Sequence, residues 1–395
     1  MDILVLNAGS STLKFAVFDG DICELVTGVI DWRGGDREAL LACHFGDRRP
    51  PLQARRQLAD YADAVHWVLA TLAELKLADR IGAVGHRVVH GGTVYRDSVE
   101  ITDTFQADLK SLIHLAPLHL PPVIATLTAA HELFPFVTHV AVFDTAFYAD
   151  LPESQVVYPV PFRWYEEFGV RRFGFHGISH AYCAGRVHQL LPPSDDGPLK
   201  LVICHLGSGC SATAVAGQRA VATTMGYTPL EGLMMGTRCG SIDPGLLISL
   251  ARLQNLSVQQ LEHDLNRESG LLGVSGVSSD YRAVEQAAAA GHDRAQLAIE
   301  MFVDRVRSAI GSLTVTLGGI DALVFTAGIG ERSVAARLRI CERLECLGIE
   351  LDESLNQHAA PDCIVSSTRS SARILVLKTE EERMIALEVK RISKI

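Results

Sequence analysis

Ile3-Leu4-Val5-Leu6-Asn7-Ala8-Gly9-Ser10-Ser11 followed by Thr12-Leu13-Lys14-Phe15-Ala16-Val17-Phe18 is an apolar run, a glycine-serine turn and a second extended run. Short aliphatic runs closed by Gly and Ser read as buried strands feeding tight turns, so the stretch predicts a β-hairpin. The pattern returns as Leu201-Val202-Ile203-Cys204, then His205-Leu206-Gly207-Ser208-Gly209, then Ser211-Ala212-Thr213-Ala214-Val215. Setting Asn7 on His205 puts Gly9 on Gly207, Ser10 on Ser208, Ala16 on Ala214 and Val17 on Val215. A hairpin repeated in both halves predicts two like domains facing each other. A third run, Ala322-Leu323-Val324-Phe325, ends in Thr326-Ala327-Gly328-Ile329-Gly330-Glu331 and predicts another strand entering a glycine turn. Such turns present backbone N–H groups with no Cβ in the way, as a phosphate requires. Three of them point to a nucleotide site assembled from several strand ends.

A chain of 395 residues exceeds one ordinary core, and two domains are expected. The net charge of −10 argues against a nucleic-acid partner, which calls for a basic face. Any phosphate site on so acidic a surface must therefore concentrate its own Lys, Arg or metal ion. No segment approaches the roughly 20 apolar residues of a membrane helix. Met1-Asp2-Ile3 enters a strand with no basic leader. The nine cysteines are odd in number, scattered and without a Cys-x-x-Cys pair, so they read as reduced thiols. Together these features predict a cytoplasmic protein.

Along the chain, residues 31–51 are polar, Gly-rich and Arg-rich and predict a loop or irregular hairpin. Residues 60–77 have helical spacing, 81–89 read as a strand, and 105–115 as a helix that Pro117, Pro121 and Pro122 break around His119. A helix resumes over 123–133, a buried strand covers 138–143, and a domain junction is placed near 146–152. Residues 192–198 form a surface loop. Helices are expected over 285–290 and 294–317, a last strand over 373–377 and a closing helix over 380–392. Alternating strands and helices predict an α/β fold.

No Gly-x-x-x-x-Gly-Lys-[Ser/Thr] occurs, so this is not a P-loop protein. Gly207-Ser208-Gly209-Cys210-Ser211-Ala212 fits the loose dinucleotide pattern, but the residues after it look extended rather than helical, against a Rossmann turn. Asn7 and Lys14 are either a turn former and a solvated edge charge, or neighbours of a metal-bound water and a phosphate. Arg87, at the end of an apolar strand before Gly91-Gly92, is either an interdomain ion pair or a fork for a carboxylate or phosphate. His86 and His90 stand four apart in a strand, where that spacing brings nothing together, and read as structural histidines. Asp144 ends an apolar strand, where open α/β sheets bind ligands; the alternative is a helix cap. Gly174-Phe175-His176-Gly177 and the stretch from Met235 to Gly245 each hold one basic residue, His176 and Arg238, in a glycine-rich setting. A charge there needs an anionic partner, either a ligand or a neighbour such as Asp243.

Asn7–Phe15, Gly85–Gly92, Val142–Phe147, Gly174–Gly177, His205–Gly209, Gly236–Pro244 and Thr326–Glu331 occur in the order found in acetate kinases and span essentially the whole chain. The sequence thus resembles the acetate kinase family, within the wider group of sugar kinases, Hsp70 and actin. The resemblance implies two duplicated actin-like (ribonuclease H-like) α/β domains with an interdomain nucleotide cleft. The domains would be residues 1–148 plus 384–395, and residues 149–383, the latter binding nucleotide and forming a homodimer. It implies acetate, ATP and Mg²⁺ (or Mn²⁺) as reactants and cofactor, with no nucleic-acid or membrane partner.

It also implies roles. Asn7 and Glu381 would hold Mg²⁺ through water, and Lys14 would lie near the ATP phosphates. Arg87 would bind the acyl substrate, Asp144 would be the essential carboxylate, and His176 and Arg238 would stabilise the transferring phosphoryl group. His205, Leu206, Gly207, Ser208 and Gly209, then Asp280, Tyr281 and Arg282, then Gly328, Ile329, Gly330, Glu331 and Arg332 would bind nucleotide. Val89, Leu118, Phe175 and Pro229 would form a methyl pocket. The chain departs from the family at Ser208, Arg332 and Leu120, each Asn in the family, and at Lys378-Thr379-Glu380-Glu381-Glu382, where the family has Pro-Thr-Asn-Glu-Glu. The implied activity is acetate kinase; the alternatives are a propionate or butyrate kinase and a weakly active nucleotide-binding regulator. Val89 favours the shorter acid, and retention of Arg87, Asp144, His176 and Arg238 together argues against a regulator.

Overall fold

A computed structural model describes residues 1–9, 11–32, 38–47, 49–192 and 197–394. It divides into two compact units, residues 1–149 with 380–395, and residues 150–379.

The first unit contains β1 (Asp2–Ala8), β2 (Thr12–Phe18), β3 (Glu24–Asp31), β4 (Glu38–Phe45), β5 (Leu52–Gln57), β6 (Ile81–Val88), β7 (Val99–Glu100) and β8 (Thr138–Phe143). Their order in one sheet is β5-β4-β3-β2-β1-β6-β8-β7. β1 to β5 form an antiparallel meander, whereas β1, β6 and β8 run parallel. Every residue of β1 is buried, which explains its uninterrupted apolar run. Leu4 and Leu6 join the main core with Val65, Val68 and Leu72 of the Tyr61–Glu74 helix and Val123 and Leu127 of the Leu120–Leu133 helix. The Glu381–Ser393 helix packs on β1, β6 and β8 through buried Ile385, Ala386 and Val389.

The second unit contains β9 (Lys200–Leu206), β10 (Cys210–Ala216), β11 (Arg219–Thr223), β12 (Ala322–Thr326), β13 (Cys363–Ile364) and β14 (Arg373–Val376), in the order β11-β10-β9-β12-β14-β13. Its first five strands repeat the order β3-β2-β1-β6-β8, with the same antiparallel hairpin and the same parallel neighbours. The fold is therefore mixed α/β with a duplicated sheet plan. The Asp293–Leu317 helix packs on β9, β10 and β11.

Several expectations need correction. The two hairpins match, but their turns differ by one residue: Ala8 pairs with Leu13, whereas Leu206 pairs with Cys210. The return strands therefore slip by one, so Ala16 answers to Thr213 and Val17 to Ala214; Ser10 of that overlay lies outside the described residues. The third run is the expected strand, but its glycines form not a turn but the Ala327–Arg332 helix, entered at Ala327 with φ +63. Within 31–51, β4 is a regular strand whose Ala39, Leu41 and Cys43 alternate into the core, a period hidden by the Arg and Gly around it; residues 33–37 and 48 are outside the described set, as are 193–196 of the predicted surface loop. Pro121 and Pro122 occupy the first turn of the Leu120–Leu133 helix, which they start rather than delay, because a first-turn residue needs no hydrogen-bonded N–H. The sequence reading had no counterpart for the helices Gly177–Leu190, Pro244–Leu253 and Val258–Arg267.

Candidate active site

In the first unit, neighbouring parallel strands carry Asn7 at the end of β1, Arg87 at the end of β6 and Asp144 just past β8. Arg87 Nη2 donates to Asp144 Oδ2 at 2.5 Å, and Nη1 donates to Asn7 Oδ1 at 3.2 Å. Asn7 Nδ2 donates to Glu382 Oε1 at 3.1 Å, from the first turn of the Glu381–Ser393 helix. Asp144 is held by its own backbone as well, its N–H donating to the Val88 carbonyl at 2.9 Å. Burial works against the Arg87 charge, but Asp144, Glu381 and Glu382 outweigh it and raise the guanidinium pKa. Arg87 and Asp144 pair with each other inside the first unit, so the ion pair is intradomain rather than interdomain, and Asp144 caps no helix. Lys14 faces Asn7 across the hairpin but is exposed, and β2 lies between β1 and β3 rather than at an edge. Val89 is buried and Leu118 is 46% exposed.

The histidines beside Arg87 are structural. His139 Nε2 lies 3.0 Å from the Phe134 carbonyl and must donate to it, leaving Nδ1 to accept from His86 Nε2 at 2.9 Å. His90 Nδ1 accepts from the Gly92 N–H at 2.9 Å.

In the second unit, the sheet ends at His205, the Gly207–Gly209 turn and Thr326, with Thr326 beside His205 in the β9–β12 register. His176 precedes the Gly177–Leu190 helix with φ +58, a backbone conformation unusual for a side chain of its size. A Cβ on Gly209 would lie 3.2 Å from His176 Nε2 and 3.4 Å from Arg238 Nη2, so imidazole and guanidinium converge on the turn and Gly209 leaves them room. The Gly236 N–H donates to the Ser208 carbonyl at 3.1 Å. On its other side a Cβ at Gly236 would meet the Ser279 carbonyl at 2.9 Å, so the 236–238 loop joins the turn to the Asp280–Arg282 segment. Asp280 caps the Tyr281–Ala289 helix and holds Arg282 at 2.6 Å, and Tyr281 is buried. Arg238 makes no ion pair with Asp243, which caps the Pro244–Leu253 helix; its Nη1 donates to the Pro229 carbonyl at 2.7 Å. Phe175 is buried and Pro229 half-buried.

Gly328, Ile329, Gly330, Glu331 and Arg332 lie in the Ala327–Arg332 helix, with Arg332 exposed. Glu331 Oε1 accepts from the Thr379 N–H at 2.9 Å, and the buried Arg337 donates to the Gly330 and Glu331 carbonyls at 2.9 Å each. Glu382, which accepts from Asn7, was not singled out in the sequence, nor were Ser211 and His180: Ser211 Oγ lies 2.9 Å from His176 Nδ1 and 2.8 Å from His180 Nε2. The signal for His180 was its place four residues after His176, meaningful only once the helix is known.

The nine cysteines form no disulfide, and no helix among the described residues is long and apolar enough to cross a membrane. A family model described as the acetokinase family matches residues 2–387. The chain is 45% identical over 400 residues to an acetate kinase of Cyanothece sp., covering 98% of this chain and 97% of that one. It is 44% identical over 402 residues to a propionate kinase of Citrobacter rodentium, covering 99% and 96%. Among solved structures it is similar to Porphyromonas gingivalis acetate kinase, 36% identical with a TM-score of 0.91 and 99% of both chains covered. With its glycine turns on a duplicated sheet plan and a match along nearly its whole length, the chain belongs to the acetokinase family.

Proposed function

We propose that this protein is an acetate kinase, transferring the γ-phosphoryl group of ATP reversibly and in line to acetate, giving acetyl phosphate and ADP. The observation that carries the reading is the Arg87 fork, a half-buried cation held in place by Asp144 and Asn7 at adjacent strand ends. The physical problem of the reaction is repulsion between a carboxylate and a polyphosphate, so neutralisation and alignment dominate over covalent work. Acetate is ionised near neutral pH because carboxylic acids titrate at about 4, and a general base has nothing to remove. Asp144 therefore orients Arg87 toward the acyl group rather than moving a proton. His176 and Arg238, converging on Gly209, stabilise the transferred phosphoryl group. The segments 205–209, 280–282 and 328–332 bind the nucleotide, and Lys14 reaches its phosphates. Val89, Leu118, Phe175 and Pro229 receive the methyl group.

The donor set beside Arg87 is oxygen-rich (Asn7, Asp144, Glu381, Glu382), yet no group of three His, Cys, Asp or Glu forms a cage among the described residues. That suits Mg²⁺, which keeps several waters and rests on one or two carboxylates plus substrate phosphates. Asn7 and Glu381 would hold it through water; when bound, it neutralises phosphate charge. The protein works in the cytoplasm. It is a homodimer, a reading supported by the Pro244–Leu253 helix, which has no buried residue and exposes Leu246, Ile248 and Leu253.

An acyl-hydroxamate assay with Mg-ATP and acetate, propionate or butyrate tests the reading. Acetate is expected to give the highest kcat/KM, and no acyl phosphate from any acid overturns it. The propionate kinase relative supplies a second reading, which Val89→Ala addresses. One methylene in an apolar pocket is worth about 1–3 kcal/mol, so the variant is expected to move the propionate-to-acetate ratio several-fold.

A further inference from the structure

Ser211, fully buried on β10, sits between two imidazoles. Its Oγ lies 2.9 Å from His176 Nδ1 and 2.8 Å from His180 Nε2. A hydroxyl carries one proton, so it donates to one ring and accepts from the other. The opposite edge of His176 settles the direction. There Nε2 faces the Gly209 turn beside Arg238 Nη2. The titratable groups around His176 are His180 on the adjoining helix, His205 of β9 stacked on it with ring centroids 4.2 Å apart, Arg238 from the 235–240 loop, and the Cys210 thiol next to the turn. Burial pushes Cys210 up to about 12 and holds His180 well below the usual histidine range, so both are neutral. Arg238 is the standing cation, and a second cation against it is disfavoured. A neutral imidazole that presents a donor to a phosphoryl oxygen carries its proton on Nε2. Its Nδ1 is then bare and takes the Ser211 proton, while Ser211 Oγ takes the proton of His180 Nε2.

We propose that His180 and Ser211 are positioning residues that fix His176 as its Nε2–H tautomer, with each donor in the chain His180–Ser211–His176 pointing toward the transferred phosphoryl group. The direction of the relay rests on the acetate kinase reading, through the anion that His176 faces. Hydrogen bonds aligned in one direction polarise and strengthen one another, so the relay directs a donor at the anion without burying another charge.

Long-range ¹H–¹⁵N correlation spectra of ¹⁵N-histidine-labelled, substrate-free protein at about pH 7.5 read both tautomers directly. The expected result is Nε2–H for His176 and for His180. Finding Nδ1–H on either ring, or an imidazolium at His176, overturns the relay, and this spectrum decides even where a variant does not fold. In Ser211→Ala, kcat is expected to fall about tenfold, the size of one net hydrogen bond lost from the alignment of His176, with both KM values within about twofold. The acid limb of kcat should also move to higher pH, because Nδ1 is then open to protonation. An unchanged kcat and acid limb overturn the proposal. If the tautomers are as expected but the wild type makes no acyl phosphate, the relay stands and the acetate kinase reading falls.

Discussion

The parallel strand ends of the first unit carry Asn7, Arg87 and Asp144, whereas the matching ends of the second carry His205, Thr326 and Thr379. Counting along the β6–β8 and β12–β14 registers, Arg87 answers to Thr326 and Asp144 to Thr379. Where the first unit pairs a half-buried arginine with a buried carboxylate, the second has hydroxyls and an imidazole: Thr379 Oγ1 lies 2.9 Å from Ser179 Oγ, which lies 2.8 Å from His205 Nδ1. One sheet plan thus supports two electrostatic solutions. Charge is concentrated where a small carboxylate and a metal ion would meet, and hydrogen-bonding edges are gathered around glycine where a larger polyphosphate would lie.

The largest effect is expected where charge is concentrated. Arg87→Ala removes a preorganised cation, a loss of about 2–4 kcal/mol in kcat/KM for acetate. It also strands a buried carboxylate, Asp144 being 1% exposed, which costs about 3–5 kcal/mol of stability by denaturant unfolding. Arg87→Lys is not expected to restore activity, because a single ammonium does not reproduce the fork to Asn7 and Asp144. Full activity in either variant would remove Arg87 from the site.

Gly209→Ala probes the other solution. Its Cβ would press on His176 and Arg238, and an activity loss of about 10²-fold or less is expected from displacing reacting groups by a fraction of an ångström. Stability should change little. A larger stability loss than in Arg87→Ala would break the contrast between the two regions.

Acid should weaken the first unit most. Burial lowers the pKa of His86 and His139, and takes His90 down to about 4. A histidine depressed in the folded state binds fewer protons there than when unfolded. Its contribution is therefore present above the unfolded value of about 6.5 and is lost as pH falls toward the folded one. His90 alone accounts for on the order of 2 kcal/mol between about pH 7 and 5, checked by urea midpoints of the wild type and His90→Asn.

The smallest effect belongs to Ser208. Its carbonyl is committed to Gly236, but its side chain is a short arm with one donor. Ser208→Asn is expected to lower the ATP KM several-fold, about 1 kcal/mol or one net hydrogen bond, and to leave the acetate KM unchanged. A change confined to acetate would assign the turn to the acyl side.

Both hairpins, the parallel strands at 81–88 and 138–143 and the closing helix were legible because a strand buried on both faces must be a continuous apolar run. Arg87, Asp144, His176 and Arg238 were legible because charge inside apolar or glycine-rich sequence requires a partner. The partner itself was not. The choice of Asp144 for Arg87, and of Glu382 for Asn7 across 375 residues, depends on strand order and on the helix that closes the unit. Likewise, the meeting of His176, Ser211 and His180 depends on a helix entered from a left-handed histidine, a conformation uncommon for any residue but glycine. Local sequence determined which groups are costly to bury and which segments form strands, since both are properties of neighbours along the chain. Which groups satisfy one another, and on which side a shared proton lies, was decided only by tertiary structure, because those contacts join residues that sequence keeps far apart.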